Sequence, residues 1–65
     1  MVIDRVKLIT EMARQRVTVL ELAEKAGVAR VTLTSVRSGK SCTANTARHI
    51  ARALGVDVEA LTPDD

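Results

Sequence analysis

The sequence predicts an all-α fold, a compact bundle of five short helices. Apolar residues recur at the three- and four-residue spacings of helices, and no segment has the strict alternation of a half-buried strand. Residues that begin and end helices recur as well, with Thr or Asp before several apolar-periodic segments and glycine after them. We therefore expect a single helical domain over residues 1–65.

The first predicted helix begins after Asp4, a capping residue, and reaches about Gln15 or Arg16. We expect this helix to support the fold by packing against the other helices through a broad apolar face. That face consists of Val6, Leu8, Ile9, Met12 and Ala13.

The second predicted helix has clear signals at both ends. Thr18 and Glu21 form a T-x-x-E capping box, and Val17 and Leu22 can pack together as a hydrophobic staple. Gly27 ends this helix, because glycine adopts the left-handed backbone conformation without strain from a Cβ.

The third predicted helix runs from about Ala29 to Ser38, and Gly39 ends it. Its inward positions are Leu33 and Val36. The other positions carry short hydroxyl side chains, one valine and two arginines, which suit entry into a groove of DNA. Two short helices joined by a glycine turn, over residues 18–39, are typical of a helix-turn-helix.

Two further helices complete the prediction. Thr43 caps a fourth helix over Ala44–Leu54, which Gly55 ends. Asp57 caps a short fifth helix, and Pro63 opposes its continuation.

Charge is distributed unevenly along the chain. Residues 25–56 contain six basic residues and no acidic one, whereas residues 1–24 carry four of each sign and the last nine residues carry four acids. The six basic residues are Lys25, Arg30, Arg37, Lys40, Arg48 and Arg52. A basic stretch over the helix-turn-helix indicates a phosphate-binding surface, and a solvated helix face is the alternative interpretation.

Composition excludes several classes of function. The chain has no aromatic residue, so recognition of single strands or RNA by base stacking is not expected and duplex DNA is favoured. A single cysteine, Cys42, excludes an internal disulfide and fits a reducing cytoplasm. The longest apolar run is Met1–Ile3, too short for a signal peptide or a membrane span.

The sequence gives no support for an enzyme or a cofactor site. It contains no nucleophile–base set, no paired carboxylates at the spacing of a site and no phosphate-binding glycine loop. His49 has no second metal ligand at helical spacing, so we expect it at the surface. Cys42 has no resolving cysteine, and we expect it half-buried in the loop before the fourth helix rather than in a redox switch.

The chain resembles the lambda-repressor-like Cro/CI (XRE) helix-turn-helix family. The segment LAEKAGVARVTLTSVRSGK is similar to the family's two central helices, and ARHIARALGVDVEAL is similar to its closing helices. The resemblance implies a five-helix domain that binds operator DNA as a repressor or other transcriptional regulator, usually as a dimer on a two-fold site. It places base-reading residues at Arg30, Val31, Thr34 and Ser35, and phosphate-facing residues at Thr18, Thr32, Lys40 and Ser41.

The chain shows three departures from the family pattern, the last of which involves two positions. Val19 stands where the family often has a DNA-buttressing glutamine, and Ala29 stands where it often has a capping serine. Many relatives pair an arginine in the first helix with a glutamate late in the third, but Met12 and Arg37 stand at those positions. We therefore expect Arg37 to reach a phosphate.

Several roles remain open on the sequence alone. Arg30 can make a bidentate contact to guanine or contact only a phosphate, and Val31 or Thr34 can touch a thymine methyl. Val58 is an apolar residue with no obvious internal partner, so we expect it in a dimer interface. The alternative function is a protein-interaction module, either an antitoxin or a degenerate helix-turn-helix that no longer binds DNA.

Overall fold

Residues 1–63 are described by the computed structural model, and within them four α-helices are followed by one short 3₁₀ helix. The elements are α1 (Arg5–Gln15), α2 (Val19–Ala26), α3 (Arg30–Arg37), α4 (Ala44–Leu54) and the 3₁₀ helix Val58–Leu61. No strand occurs in this part of the chain, so the predicted all-α class is confirmed. The last two acids of the predicted acidic end, Asp64 and Asp65, lie outside the described residues.

The predicted helix starts are confirmed by side chains that accept hydrogen bonds from backbone amides. The Asp4 carboxylate accepts from the amide of Val6 at 2.8 Å, and the Thr43 hydroxyl accepts from the amide of Thr46 at 3.1 Å. At α2 the capping box is complete. The Glu21 amide donates to the Thr18 hydroxyl at 3.1 Å, and the Thr18 amide donates to the Glu21 carboxylate at 3.0 Å.

Two of the three predicted glycines are the residues on which helices end, whereas α3 ends on Ser38, at a φ of −88°, and Gly39 follows at a φ of 102°. Gly27 and Gly55 adopt φ values of 69° and 70° and end α2 and α4. α1 ends on Arg16, which adopts a left-handed φ of 54° although it carries a Cβ. This conformation costs about 1 kcal/mol for a non-glycine residue, so the surrounding structure must supply that energy.

The fifth element differs from its prediction in two ways. It is a 3₁₀ helix of four residues rather than an α-helix, and the Asp57 side chain makes no capping hydrogen bond. The Ala60 amide donates to the Asp57 carbonyl at 2.9 Å, so this backbone bond closes the turn instead. A segment that must turn again before Pro63 has too few residues to establish an α-helical bond ladder.

The core consists of aliphatic and alanine side chains from every element. Its buried members are Ile3, Leu8, Met12, Leu22, Ala23, Ala26, Leu33, Val36, Ala47, Ile50, Ala51, Leu54 and Leu61. The predicted broad apolar face of α1 is only partly used, because Leu8 and Met12 are buried while Val6, Ile9 and Ala13 are exposed. One side of α1 meets the other helices, and nothing in a domain this small covers the adjoining side.

The N-terminal segment is bonded to residues distant in sequence. The Met1 amine donates to the Cys42 carbonyl at 2.9 Å, and the Cys42 amide donates to the Met1 carbonyl at 2.7 Å. The Asp4 amide donates to the Leu61 carbonyl at 2.7 Å, and Ile3 is only 1% exposed. Residues 1–4 therefore link the loop between α3 and α4 to the 3₁₀ helix.

We expect Gly27→Val to destabilise the domain by more than about 1 kcal/mol, measured by denaturant or thermal unfolding. A Cβ at Gly27 would meet no atom within 4 Å, so the effect comes from the φ of 69° rather than from a clash. Gly27→Asn is the matched control, because asparagine tolerates the left-handed region, and it should lose much less stability. An unchanged melting temperature in the valine variant would contradict the assigned role of this glycine.

Candidate nucleic-acid interface

α3 exposes one continuous face and buries the other. Leu33 and Val36 are 0% and 1% exposed, and they fix the inward side of the helix. Arg30, Val31 and Thr34 lie on the exposed side, with Val31 exposed by 76%. Ser35 is half-buried, at the edge of that face. The structure thus brings the predicted base-reading residues together on a single helix, as their spacing indicated.

The start of α3 has no side-chain cap. Ala29 is the N-cap residue and makes no capping hydrogen bond, as expected from the absence of a hydroxyl. The preceding residue, Val28, is half-buried and packs against the core. The position of α3 is therefore set by apolar contacts on its inner side and before its first turn.

A tight turn after α3 holds the loop that carries Lys40 and Ser41. The Ser35 carbonyl accepts hydrogen bonds from the Ser38 hydroxyl at 2.8 Å and from the Lys40 amide at 3.1 Å. Gly39 lies between them with a φ of 102°. The side chains of Lys40 and Ser41 are exposed, and the pairing of Cys42 with the N-terminal segment holds the far end of the loop.

At the start of α2, the capping box also alters the acidity of a carboxyl group. The hydrogen bond that the Thr18 amide donates to Glu21 lowers the pKa of Glu21 below its ordinary value. The side chain of Thr18 and the charge of Lys25 shift this pKa in the same direction to a smaller extent. Thr18 is exposed at this helix start, where backbone amides and the helix dipole favour an anion.

Arg37 lies close to this helix start. It lines an open cavity of about 270 Å³ together with Met12, Thr18 and Val19. The three residues that replace the family's glutamine and its arginine–glutamate pair therefore line the same cavity. They are Val19, Met12 and Arg37. Within residues 1–63, the Arg37 side chain makes no hydrogen bond or ion pair, so its charge is available to a phosphate near Thr18.

The exposed cations around α3 and α4 are not neutralised by the described part of the chain. Five of their side chains make no hydrogen bond or ion pair with it: Arg30, Arg37, Lys40, Arg48 and Arg52. Arg48 and Arg52 lie on the outer side of α4 and line a second open cavity, of about 650 Å³. These five cations of the predicted basic region are thus exposed to solvent and form no ion pair with a described acidic side chain.

A family model for the Cro/C1-type helix-turn-helix DNA-binding domain matches residues 7–62. This match begins at the third residue of α1 and includes α2, α3, α4 and the 3₁₀ helix. The chain belongs to that family. It is a helix-turn-helix domain of the DNA-binding type, with α2 and α3 as the paired helices.

The fold of this Cro/C1-type domain also occurs within a much larger solved protein. A structure of a mutant hydroxyethylphosphonate dioxygenase matches 98% of the chain with a TM-score of 0.86 and 28% sequence identity. The match covers only 14% of the dioxygenase chain, so the present chain spans about one-seventh of its length. No curated protein has a significant match to the chain.

Potential metal-ligating side chains do not cluster in the described part of the Cro/C1-type domain. Among residues 1–63, no group of three or more His, Cys, Asp or Glu side chains could hold a metal ion. His49 is exposed and Cys42 is half-buried in the loop before α4, as the sequence predicted. No helix in the described range is long and apolar enough to cross a membrane.

The basis for placing Val58 in a dimer interface is partly wrong. Val58 was expected to have no internal partner, but it is half-buried and packs against the core. Its remaining exposed surface lines the same cavity as Arg48 and Arg52. The prediction assumed an α-helix capped by Asp57. The segment is instead a 3₁₀ helix, in which the Val58 side chain contacts the core.

We expect the capping box to make the stability of the domain depend on pH. The folded-state pKa of Glu21 is lowered, so its stabilising effect relative to Glu21→Ala is present above the ordinary glutamate pKa. That effect is lost as the pH falls through the lowered folded-state pKa. Unfolding free energies of the two proteins measured across this range should converge at acid pH. Glu21→Gln keeps a hydrogen-bond acceptor but does not titrate, so its stability relative to Glu21→Ala should show no such step.

Proposed function

We propose that the domain binds duplex DNA sequence-specifically and acts as a transcriptional regulator, most simply as a repressor. The observation that supports this best is the exposed face of α3, on which Arg30, Val31 and Thr34 stand clear of the core. Apart from Arg30 and Arg37, the exposed polar side chains of α3 are short, so the helix can approach base edges in the major groove closely.

Base reading would depend on a small number of side chains. Arg30 lies in the first turn of α3, where recognition helices commonly meet base edges, and its guanidinium can donate two hydrogen bonds to guanine. Val31 and the Thr34 methyl offer apolar contact to a thymine methyl, and Ser35 would act from the edge of the face. Of these residues, Arg30 would contribute most to the discrimination between base pairs.

Phosphate binding would fix the register of α3 in the groove. The proposed contacts are Thr18, Thr32, Arg37, Lys40 and Ser41, all of which are exposed. They come from the start of α2, from α3 and from the loop after it, so they can meet the backbone on both sides of the recognition helix. Lysine and arginine contacts release counterions, which makes binding sensitive to salt.

The proposal assigns the domain a binding function without catalysis or a cofactor, in the cytoplasm. The resemblance to part of a dioxygenase does not suggest otherwise, because it concerns 14% of that enzyme's chain. Regulation would then follow from occupancy of the operator by this domain.

Arg30→Ala should cost about 1–3 kcal/mol of discrimination at one base position, because it removes a bidentate contact. Lys40→Ala should instead weaken binding to all sequences by a similar factor and reduce the salt slope by about one unit. Duplexes selected from a random pool with the purified domain would supply the site, and fluorescence anisotropy at several salt concentrations would give both quantities. Failure of the unaltered domain to bind any duplex at low salt would reject the proposal and favour a degenerate or protein-binding helix-turn-helix.

We further propose that two copies bind a two-fold site, with half-sites about 34 Å apart, one turn of DNA. A single domain of this size covers little DNA, so a second copy doubles the specific contact. The exposed part of Val58 and the neighbouring surface of α4 are the proposed contact between copies. Val58→Ala, chosen because a charge would disturb the core contact, should reduce cooperativity while half-site affinity stays nearly unchanged. One domain per palindromic site at saturation, measured by analytical ultracentrifugation, would show that the domain binds as a monomer.

A further inference from the structure

α1 presents a row of apolar side chains that the core does not use. Val6 and Ile9 are 64% and 41% exposed, and Ala13 is also exposed. Their spacings of three and four residues place them on one face of the helix. Large exposed apolar side chains are few in the described residues, and two of the six, Val6 and Ile9, lie on α1. With Ala13 they form a row on one helix, unlike the isolated exposed residues that are normal for a protein surface.

Ile9 also borders two open cavities between α1 and α3. The first, of about 270 Å³, is lined by Ala13, Val17 and Arg37 among others. The second, of about 240 Å³, separates Ile9 from the exposed side chains of Thr34, Arg37 and Ser38. Because Ile9 and Arg37 line both cavities, together they form a groove with an apolar α1 wall and a polar α3 wall. We call this feature the α1–α3 groove.

The charged side chain that lines the α1–α3 groove is that of Arg37, and the Glu21 carboxylate lies next to one end of the groove, where it accepts a hydrogen bond from Thr18. Arg37 is part of its wall, and Arg5 lies four residues before Ile9 on the same side of α1. Neither arginine makes an ion pair with any described residue. No acidic residue lines either cavity, and Glu11 is instead bonded to Arg14. A ligand of this groove therefore meets an apolar wall bordered by unneutralised cations.

We propose that the α1–α3 groove binds an amphipathic helix of a partner protein, apolar on one side and acidic along its flanks. An apolar helix face in a groove is a common mode of peptide recognition, and acidic flanks complement Arg5 and Arg37. A second copy of this chain fits less well, because a two-fold contact would bring a second set of the same cations to the interface. The site goes beyond DNA binding, but it shares Thr18, Thr34 and Arg37 with the proposed DNA surface. A bound partner and a bound duplex would therefore compete.

The test uses two synthetic helical peptides that share leucines at helical spacing. In one peptide the remaining positions are glutamate, and in the other they are lysine. Titration into the isotope-labelled domain without DNA, followed by NMR, should show binding of the glutamate peptide only. The amides that shift should include those of Val6, Ile9, Ala13 and Arg37. Because no DNA is present, the result does not depend on whether the domain binds a duplex.

Three variants locate the binding site. Ile9→Glu should weaken the glutamate peptide at least about tenfold, because it removes an apolar anchor and adds a like charge. Leu20→Glu is the matched control. Leu20 is 51% exposed and lines neither cavity, so affinity should stay within about twofold of the unaltered domain. Arg37→Glu should shift the preference towards the lysine peptide. Circular dichroism would establish that all three variants are folded.

Several results would overturn the proposal. Equal binding of both peptides, no binding of either, or equal weakening by Ile9→Glu and Leu20→Glu would each show that the α1–α3 groove is not the site. Competition is tested separately by adding the glutamate peptide to the domain bound to its selected duplex. The apparent duplex affinity should fall in proportion to peptide occupancy. An affinity that does not change when the groove is saturated would show that Arg37 is not shared.

Discussion

The structure depends on the close approach of α2 to α3 and α4. The chain has no aromatic side chain to fill a wide space, so its helices must approach one another directly. Alanines make this possible, because Ala23 on α2 and Ala47 and Ala51 on α4 are at most 3% exposed. Leu33 and Val36 then anchor α3 against the same core. Once those two side chains are buried, the direction of the opposite face of α3 is determined.

α3 would not be a stable helix by itself, since it has eight residues and no side-chain cap. Its position is maintained by its surroundings. The core holds its inner side, Val28 packs before its first turn, and the Ser35 carbonyl closes the turn after it. The pairing of Met1 with Cys42 supports the loop beyond. The exposed face of α3 is therefore held in place by contacts that other segments make with the helix. Such contacts allow a small domain to orient exposed side chains accurately.

Local hydrogen bonding explains why much of the fold could be predicted from the sequence. The caps at Asp4, Thr18 and Thr43 and the glycine ends join residues at most five apart, so the residues that form them are adjacent in the sequence. The contacts of the N-terminal segment could not be predicted, because Met1 and Cys42 are 41 residues apart and pair through backbone atoms. The burial of α1 was overestimated for a related reason. Apolar spacing shows that a face exists, but only the other helices determine how much of it is covered.

For the candidate site too, local features could be predicted from the sequence and contacts between distant segments could not. The 3.6-residue period of a helix is enough to place Arg30, Val31 and Thr34 opposite Leu33 and Val36. The proximity of Arg37 to Thr18 and Val19 is different, because it depends on how α3 crosses the start of α2. Sequence comparison alone gives the departures at Met12, Val19 and Arg37 as separate differences from the family. In the structure these three residues line one cavity. Its cation is Arg37 on α3, whereas many relatives carry an arginine on the first helix.

The two ligands proposed for this region would use Arg37 in different ways. An exposed ion pair contributes about 0–1 kcal/mol, so an acidic side chain paired with Arg37 could not by itself displace DNA that is bound at several phosphates. Covering Ile9 in the groove and Val6 beside it contributes more. Full burial of such a side chain is worth about 1.5–3 kcal/mol, and their exposed fractions of 41% and 64% together correspond to about one full burial. The apolar wall of the α1–α3 groove would therefore supply most of a partner's affinity. Arg37 would make partner binding and DNA binding compete, because one guanidinium cannot form bidentate hydrogen bonds to a phosphate and to a partner's carboxylate at the same time.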